Sequence, residues 1–364
     1  MRVWYHALIL TNEAFIIMWQ CPLCKLPLQT HQTDAPDRPL ETWLCKNNHS
    51  FDKAKQGYVN LLPVQNKRSK MPGDDVEMVA ARTSFFAEKP YAPLVKRLSE
   101  VIRSIVMHNN ASSCVPRNVV DTSGNTFNIY DSGCGEGYYL GELSALLLDS
   151  NLGADLGVKK DTTTFFTFAG HDISKAAVIA AAKRNKHTQL VVASTINIPV
   201  LDSSQDIIIQ VFAPACAGEY ARILHSNGVV ITVDPAPKHL FELKEIVYEN
   251  PELHEKHSAV LTGFEIIQQH HLGFSVSLRS VKARLALLQM TPFYWKTNDT
   301  QRALIRTKLM QVTADFVITV WQQSKGAEGD KAALSDSMVV ALPVIGVLHD
   351  NALQDDLSGI ENEL

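Results

Sequence analysis

The stretch NIYDSGCGEGYY, residues 128–139, constrains this chain more than any other. An apolar strand stops at Asp131. Gly133, Gly135 and Gly137 follow before YYLGELSALLL (138–148), which has helical periodicity. Glycines at a strand-to-helix turn let the backbone approach a ligand with no Cβ in the way, and the helix N-terminus lies beside them. The spacing D-x-G-x-G-x-G is not the G-x-G-x-x-G dinucleotide fingerprint, because the third glycine comes one residue early.

The rest of the central region repeats the strand–turn–helix rhythm. FNIY (127–130), TTTFFTFAG (162–170), LVVAS (190–194), DIIIQVF (206–212) and GVVITVD (228–234) read as short strands. FEIIQQHHLGFSVSL (264–278) and DFVITVWQ (315–322) read as two late ones. SKAAVIAAAKRN (174–185) is a helix with Ser174 as its N-cap, and residues 75–107 form helices that Pro90 and Pro93 divide. This pattern predicts an α/β fold, a seven-stranded, mostly parallel sheet with helices on both faces.

In its position the glycine run resembles motif I of class I S-adenosylmethionine-dependent methyltransferases. The second strand supports that likeness. It ends GHDISKAA, and an acid at the tip of strand two, Asp172, can accept the ribose hydroxyls of a nucleoside. Strand four ends QVFAPACAGEY and lacks the N/D-P-P-Y/F run of many amino-methylating enzymes, which argues against an exocyclic adenine amine as target. Cys216 lacks the Pro-Cys pairing expected of a C5-methylating nucleophile and reads as structural.

Near the front, Cys21-x2-Cys24 and Cys45-x3-His49 supply four ligands in two close pairs. Each pair fits a tight turn, and two such turns complete a closed tetrahedron around Zn²⁺. With no open position, the zinc is expected to be structural. Residues 18–52 are too poor in apolar periodicity to fold without such a staple. The following DKAKQGYVNLLPVQNKRSK carries Lys53, Lys55, Lys67, Arg68 and Lys70 and reads as a linker or arm with a basic face.

The formal charge of -4 hides an asymmetry, since 326–364 hold eight acids and one base, a charge of -7. Taking -7 from -4 leaves +3 on residues 1–325, a body compatible with a nucleic-acid partner. Six cysteines, three of them clustered, make no secreted disulfide framework and indicate a reducing, cytoplasmic setting. Asn12 and Glu13 interrupt the apolar start, so no signal or membrane span is expected there. Met18 is the expected natural start. The expected division is 1–17 as an extension, 18–65 as a zinc-binding domain, 66–107 as linker and helices, 108–325 as the methyltransferase domain and 326–364 as an acidic tail.

From about Met18 to Gln323 the chain resembles the bacterial 23S ribosomal RNA guanine-N1 methyltransferases that modify the loop of hairpin 35. The likeness is carried by CPLC, by GYVNLLPVQNKRSK and PGDDVEM, and by YDSGCGEGYY, DISKAAVIAAAKR, PKHLFELK and LLQMTPFYWK. It implies a zinc domain that helps grip RNA, a class I methyltransferase domain, S-adenosylmethionine as cofactor, 23S rRNA as partner and a homodimer. It also implies Cys21, Cys24, Cys45 and His49 as zinc ligands. Gly135, Glu136, Tyr91 and His239 match cofactor-contacting positions, beside Asp131, Gly133, Gly137 and Asp172 read from the glycine loop and strand two. Methylation of guanine N1 requires loss of the N1 proton. No acceptor is assigned, and Asp234, beside strand five, is the one candidate considered. A small-molecule methyltransferase would leave the zinc knot and basic arm unexplained, a non-enzymatic zinc RNA-binding module would leave the intact cofactor turn unexplained, and a catalytically idle ribosome-assembly factor would keep every feature and methylate nothing.

Overall fold

A computed structural model describes residues 18–32, 41–66, 72–112, 125–148, 164–254 and 260–324. Three short strands come first, β1 (Gln29–Gln32), β2 (Glu41–Leu44) and β3 (Ser50–Asp52), and form a small antiparallel sheet in that order. β4 (Tyr58–Asn60) follows. Next come α1 (Val76–Phe86), which Asp75 caps by accepting the Met78 N–H, and α2 (Ala92–Ser112). Between them Lys89 adopts φ +51° and Pro90 ends any helical continuation.

The large sheet takes in β5 (Asn125–Ser132), β6 (Thr164–Asp172), β7 (Gln189–Val192), β8 (Gln205–Val211), β9 (Leu224–Pro235), β10 (Phe264–Ser277) and β11 (Gln311–Gln323). Helices α3 (Tyr138–Leu148), α4 (Lys175–Arg184), α5 (Ala217–Ile223), α6 (Phe241–Val247), α7 (Val281–Gln289) and α8 (Asp299–Lys308) lie between them. The strand order is β10-β11-β9-β8-β5-β6-β7-β4, with β11 antiparallel to both neighbours and the other pairs parallel. Order reverses between β5 and β8, which opens a crevice beyond their carboxyl ends where ligands of such sheets bind. Central β8 is buried along its whole length because both of its faces are covered, and its run of isoleucines shows no alternation for the same reason. Edge strand β10 alternates because one face meets solvent.

The seven expected strands are all present, and an eighth joins them. Tyr58–Asn60 pairs in parallel with β7, and Tyr58, Val59, Leu61 and Leu62 are buried. This corrects the reading of YVNLLPV as linker. The stretch is apolar because it forms the edge of the large sheet, and its flanking lysines disguise a strand of only three residues.

The two faces of the sheet are covered differently. α1, α2, α3, α6 and α7 pack one face against Phe127, Ile129, Ile207, Ile209, Ile231 and Phe316. On the other face, Tyr130, Val191, Ile208 and Val230 lie in one cluster with α5 and with Trp19, Leu28 and Trp43 of the cysteine-rich module. Trp19 packs on Trp43 at 5.7 Å and edge-on to Tyr130 at 6.2 Å, and its indole N–H bonds the Gln189 side chain. Backbone bonds from Gln20 N–H to the Pro199 carbonyl (3.0 Å) and from Leu201 N–H to the Met18 carbonyl (2.8 Å) fix the same seam. The module is therefore a layer of the fold.

Candidate functional site

β5 delivers Asp131 to its carboxyl end, and the chain then turns through Gly133 (φ +79°), Gly135 (φ +54°) and Gly137 (φ +77°) into α3. Gly133 and Cys134 donate their N–H groups to the His171 carbonyl at 2.9 and 2.8 Å, tying the loop to β6. Asp172 holds it from the side, accepting Gly135 N–H at 3.0 Å and Ser174 N–H at 2.8 Å, one on each carboxylate oxygen. Each oxygen retains a lone pair for a ligand hydroxyl. The glycines differ in surroundings. A Cβ on Gly133 would sit 2.4 Å from Ala213 Cβ, whereas one on Gly135 would meet only Arg82 Nη1, at 3.5 Å. The loop is packed behind Gly133 and open before Gly135.

Around this opening lies a dense set of charges. Asp131 is buried, and burial first, then Asp172 and Glu136, raise its carboxyl to about 8. Burial also raises Glu136, against the pull of Arg82 and Arg184, and Asp172, against its two N–H donors. Arg82 Nη2 pairs with Asp74 Oδ2 at 2.7 Å, and Arg184 Nη1 lies 3.8 Å from Glu136 Oε1. Glu136 Oε1, Arg184 Nη1, Tyr138 Oη and Tyr139 Oη are buried without a hydrogen-bond partner. Orphaned polar atoms of this kind are costly in a native fold unless something supplies the partners. A ligand with hydroxyls, an ammonium and a carboxylate fits the set.

Tyr91 and His239 meet farther along the strand ends, with ring centroids 6.4 Å apart. Both pack on Phe316, at 5.2 and 4.8 Å, and Phe86 links Tyr91 (5.5 Å) to Tyr138 (4.3 Å) beside the glycine loop. Burial, with His254 and Lys244 adding to it, lowers His239 to about 3, so its imidazole is neutral. Phe212, at the end of β8, is held at φ +54° with its ring 5.8 Å from His239. A bulky residue in the left-handed region costs of order 1–3 kcal/mol and marks a place where the surrounding structure fixes the backbone. Asp234 is half-buried near the end of β9, opposite Val317 of β11, its carboxyl raised by burial against a Thr232 hydrogen bond. Cys216 is buried and its thiol is raised by burial, which suits a structural cysteine.

In the module, Lys25 (φ +62°), just after Cys24, and Asn48 (φ +61°), between Cys45 and His49, sit in the two tight turns and donate their N–H groups to the Cys21 and Cys45 carbonyls. The ligand atoms of Cys21, Cys24, Cys45 and His49 all lie within 4.8 Å of one another. Cys24 Sγ is 3.6 Å from Cys45 Sγ, and His49 Nδ1 is 3.5 and 3.4 Å from the sulfurs of Cys21 and Cys45. Zinc bonds of about 2.3 Å to sulfur and about 2.0–2.1 Å to nitrogen give tetrahedral edges of about 3.8 and 3.6 Å. The set fits zinc.

The basic residues divide. Lys53 Nζ is paired with Glu41 at 2.6 Å, Lys55 is exposed, and Lys67, Arg68 and Lys70 lie outside the described residues, as do 1–17 and 326–364. A cleft of about 610 Å³ between the module and α5 is lined by Lys25, Asp202, Glu219 and Arg222. Arg222 pairs with Asp202 at 2.8 Å and with Glu219 at 2.7 Å, so these charges satisfy one another. Sequence reading missed Arg82, Asp74, Arg184 and Tyr139. The first two lie in or just after PGDDVEM, whose spacing gives no sign of their pairing.

A family described as "RlmA, N-terminal", a zinc ribbon, matches residues 19–70. A relative from Micromonospora griseorubida, provisionally named a 23S rRNA (guanine-N1)-methyltransferase, is 33% identical over 62% of this chain and 68% of its own length. YxjB of Bacillus subtilis, with the same provisional name, is 28% identical over 83% of this chain and 96% of its own. The 23S rRNA (guanine(748)-N(1))-methyltransferase of Streptomyces fradiae is 32% identical over 62% and 65%. Among the described residues no helix is long and apolar enough to cross a membrane.

Proposed function

The chain belongs to the 23S rRNA (guanine-N1)-methyltransferase family, and from that premise we propose that it methylates N1 of a guanine in the hairpin 35 loop of 23S rRNA. The observation that carries the proposal is the opening before Gly135, ringed by Asp131, Glu136 and Asp172 and by buried polar atoms lacking partners. S-adenosylmethionine, when bound, supplies an electrophilic methyl carbon on a sulfonium. Asp172 offers its remaining lone pairs to ribose hydroxyls, and Asp131 and Glu136 face the cationic part. Tyr91, neutral His239 and strained Phe212, packed together beyond the glycine loop, would line the same site and help exclude water. Most of the acceleration comes from holding nucleophile and methyl carbon in line. The target base leaves its stack to reach the strand ends.

Cys21, Cys24, Cys45 and His49 would hold a structural zinc that fixes the module for gripping RNA, with Lys55 on its exposed side. A cytoplasmic homodimer is part of the same proposal, supported by the family resemblance. Incubation with labelled S-adenosylmethionine, unmodified 23S rRNA and a metabolite extract tests the substrate class. Label is expected in the RNA; label in metabolites alone would transfer the reading to a small-molecule enzyme.

Asp131 makes cofactor affinity depend on pH. Its raised pKa leaves it largely protonated at neutral pH, and a cation beside it favours the carboxylate. Binding then releases a proton, so affinity should rise with pH towards about 8 by up to about tenfold per unit and level off above it. The same shift has the opposite sign for folding, because the native state keeps a proton that the unfolded chain has lost. The stability contribution of Asp131 is therefore present below about 4 and lost as pH rises to about 8. Titration calorimetry from pH 6 to 9 checks both slope and proton release, and a flat profile in wild type would contradict the assignment.

For the N1 proton, Asp234 near the end of β9 is the candidate base; burial raises its proton affinity, as it does for Asp131, Glu136 and Asp172. Asp234→Asn should lower turnover at least about tenfold with unchanged cofactor affinity. Near-full turnover in single-turnover assays would remove Asp234 from the role.

A further inference from the structure

Resting on the cofactor reading above, we propose that Arg82 binds the carboxylate of the cofactor's amino-acid end, and that Asp74 orients the guanidinium for it. The segment before α1 is pinned over the cofactor loop. The Asp74 carbonyl accepts the Ser174 hydroxyl at 2.6 Å, at the start of α4, and a Cβ on Gly73 (φ +80°) would lie 2.9 Å from both Ile173 and Ser174. From its Asp75 cap, α1 runs two turns and brings Arg82 back beside Asp74. The guanidinium is thereby held at one end. Nη2 is on Asp74, and Nη1 is the atom nearest the open side of Gly135.

Charge singles out this arginine. The opening is walled by Asp74, Asp131, Glu136 and Asp172, a good environment for a sulfonium and an ammonium and a poor one for a carboxylate. A ligand carrying all three groups needs a cation for the last. Arg184 Nη1 lies 3.8 Å from Glu136 and its guanidinium sits over the Tyr138 ring at 5.6 Å, whereas Arg82 Nη1 is the guanidinium atom at the open side of Gly135. Arg82 has a planar fork of which Asp74 occupies one side, and such a fork can take a second carboxylate on the other. Burial opposes the charge of Arg82, but Asp74, Glu136 and Asp172 more than offset that and keep it protonated.

The test compares two probes by titration calorimetry, S-adenosylhomocysteine, which carries the amino-acid end, and 5′-methylthioadenosine, which lacks it. Arg82→Gln should weaken S-adenosylhomocysteine about 30- to 100-fold and change methylthioadenosine less than about twofold. Arg82→Lys keeps the charge without the fork and should show an intermediate loss, again confined to S-adenosylhomocysteine. It also carries the test if the glutamine variant fails to fold. Equal losses for both probes would make Arg82 a structural residue and overturn the proposal, as would unchanged affinity for both. Wild-type protein that binds neither probe would overturn the cofactor reading itself, and this assignment with it.

Discussion

Cys45→Ser should lower the thermal midpoint of the whole chain by on the order of 10 °C and do so in a single transition. A bead on a linker would melt separately and leave the main transition in place. Here Trp19, Leu28, Trp43 and Cys45 lie in one buried cluster with Tyr130, Val191, Ile208 and Val230 of the large sheet. Losing the staple releases strands β1–β3, which are too short to persist alone, and exposes the sheet face beneath them. Uncovering two or three large apolar side chains costs about 1.5–3 kcal/mol each, and about 2–4 °C accompanies each kcal/mol in a domain of this size. Below the transition, RNA binding should fall before cofactor binding, because the module carries Lys55 while the glycine loop is held by β5 and β6. Differential scanning calorimetry with and without zinc checks the first part, and two resolved transitions with the larger one unmoved would contradict it.

Gly135→Ala should separate folding from function. At φ +54° an alanine costs about 1 kcal/mol, and its Cβ meets only Arg82 Nη1 at 3.5 Å, so the fold should survive. The same methyl group fills the open space through which a cofactor would approach the loop backbone, and affinity should fall at least about 100-fold, with turnover lost at ordinary cofactor concentrations. Gly133→Ala should behave differently. Its Cβ would lie 2.4 Å from Ala213 Cβ at φ +79°, so the turn must move against the end of β8. A stability loss of about 3 kcal/mol or more is expected alongside the binding defect. Denaturant midpoints measured beside cofactor affinities distinguish the two. Normal cofactor binding by a folded Gly135→Ala protein would contradict the assignment of the site.

What could be read in advance was local. Asp131 to Gly137 forms one strand-to-helix turn, and Asp172 sits at the end of the next strand, so spacing along the chain carried the information. The same holds for the two ligand pairs that make the zinc set. What could not be read depends on segments far apart in sequence. Arg82 meets Gly135 only because Asp74 docks on Ser174, 100 residues away. Tyr58–Asn60 looked like part of a basic arm because three residues are too few to show a strand period, and only pairing with β7 reveals it. Lys53 seemed available to RNA until Glu41 on β2 was found beside it. Trp19, which no local spacing singles out, packs on both Trp43 and Tyr130 and so joins two layers of core.

The most direct measurement concerns the product. N1 is a Watson–Crick donor of guanine, so methylation there blocks pairing and stops reverse transcription. RNA treated with wild-type protein and S-adenosylmethionine should show a single new stop in the hairpin 35 loop. Nuclease digestion and mass spectrometry of that fragment should identify N1-methylguanosine, absent when Gly135→Ala is used. Unmodified RNA, or a methyl group on another atom that reverse transcriptase reads through, would contradict the account.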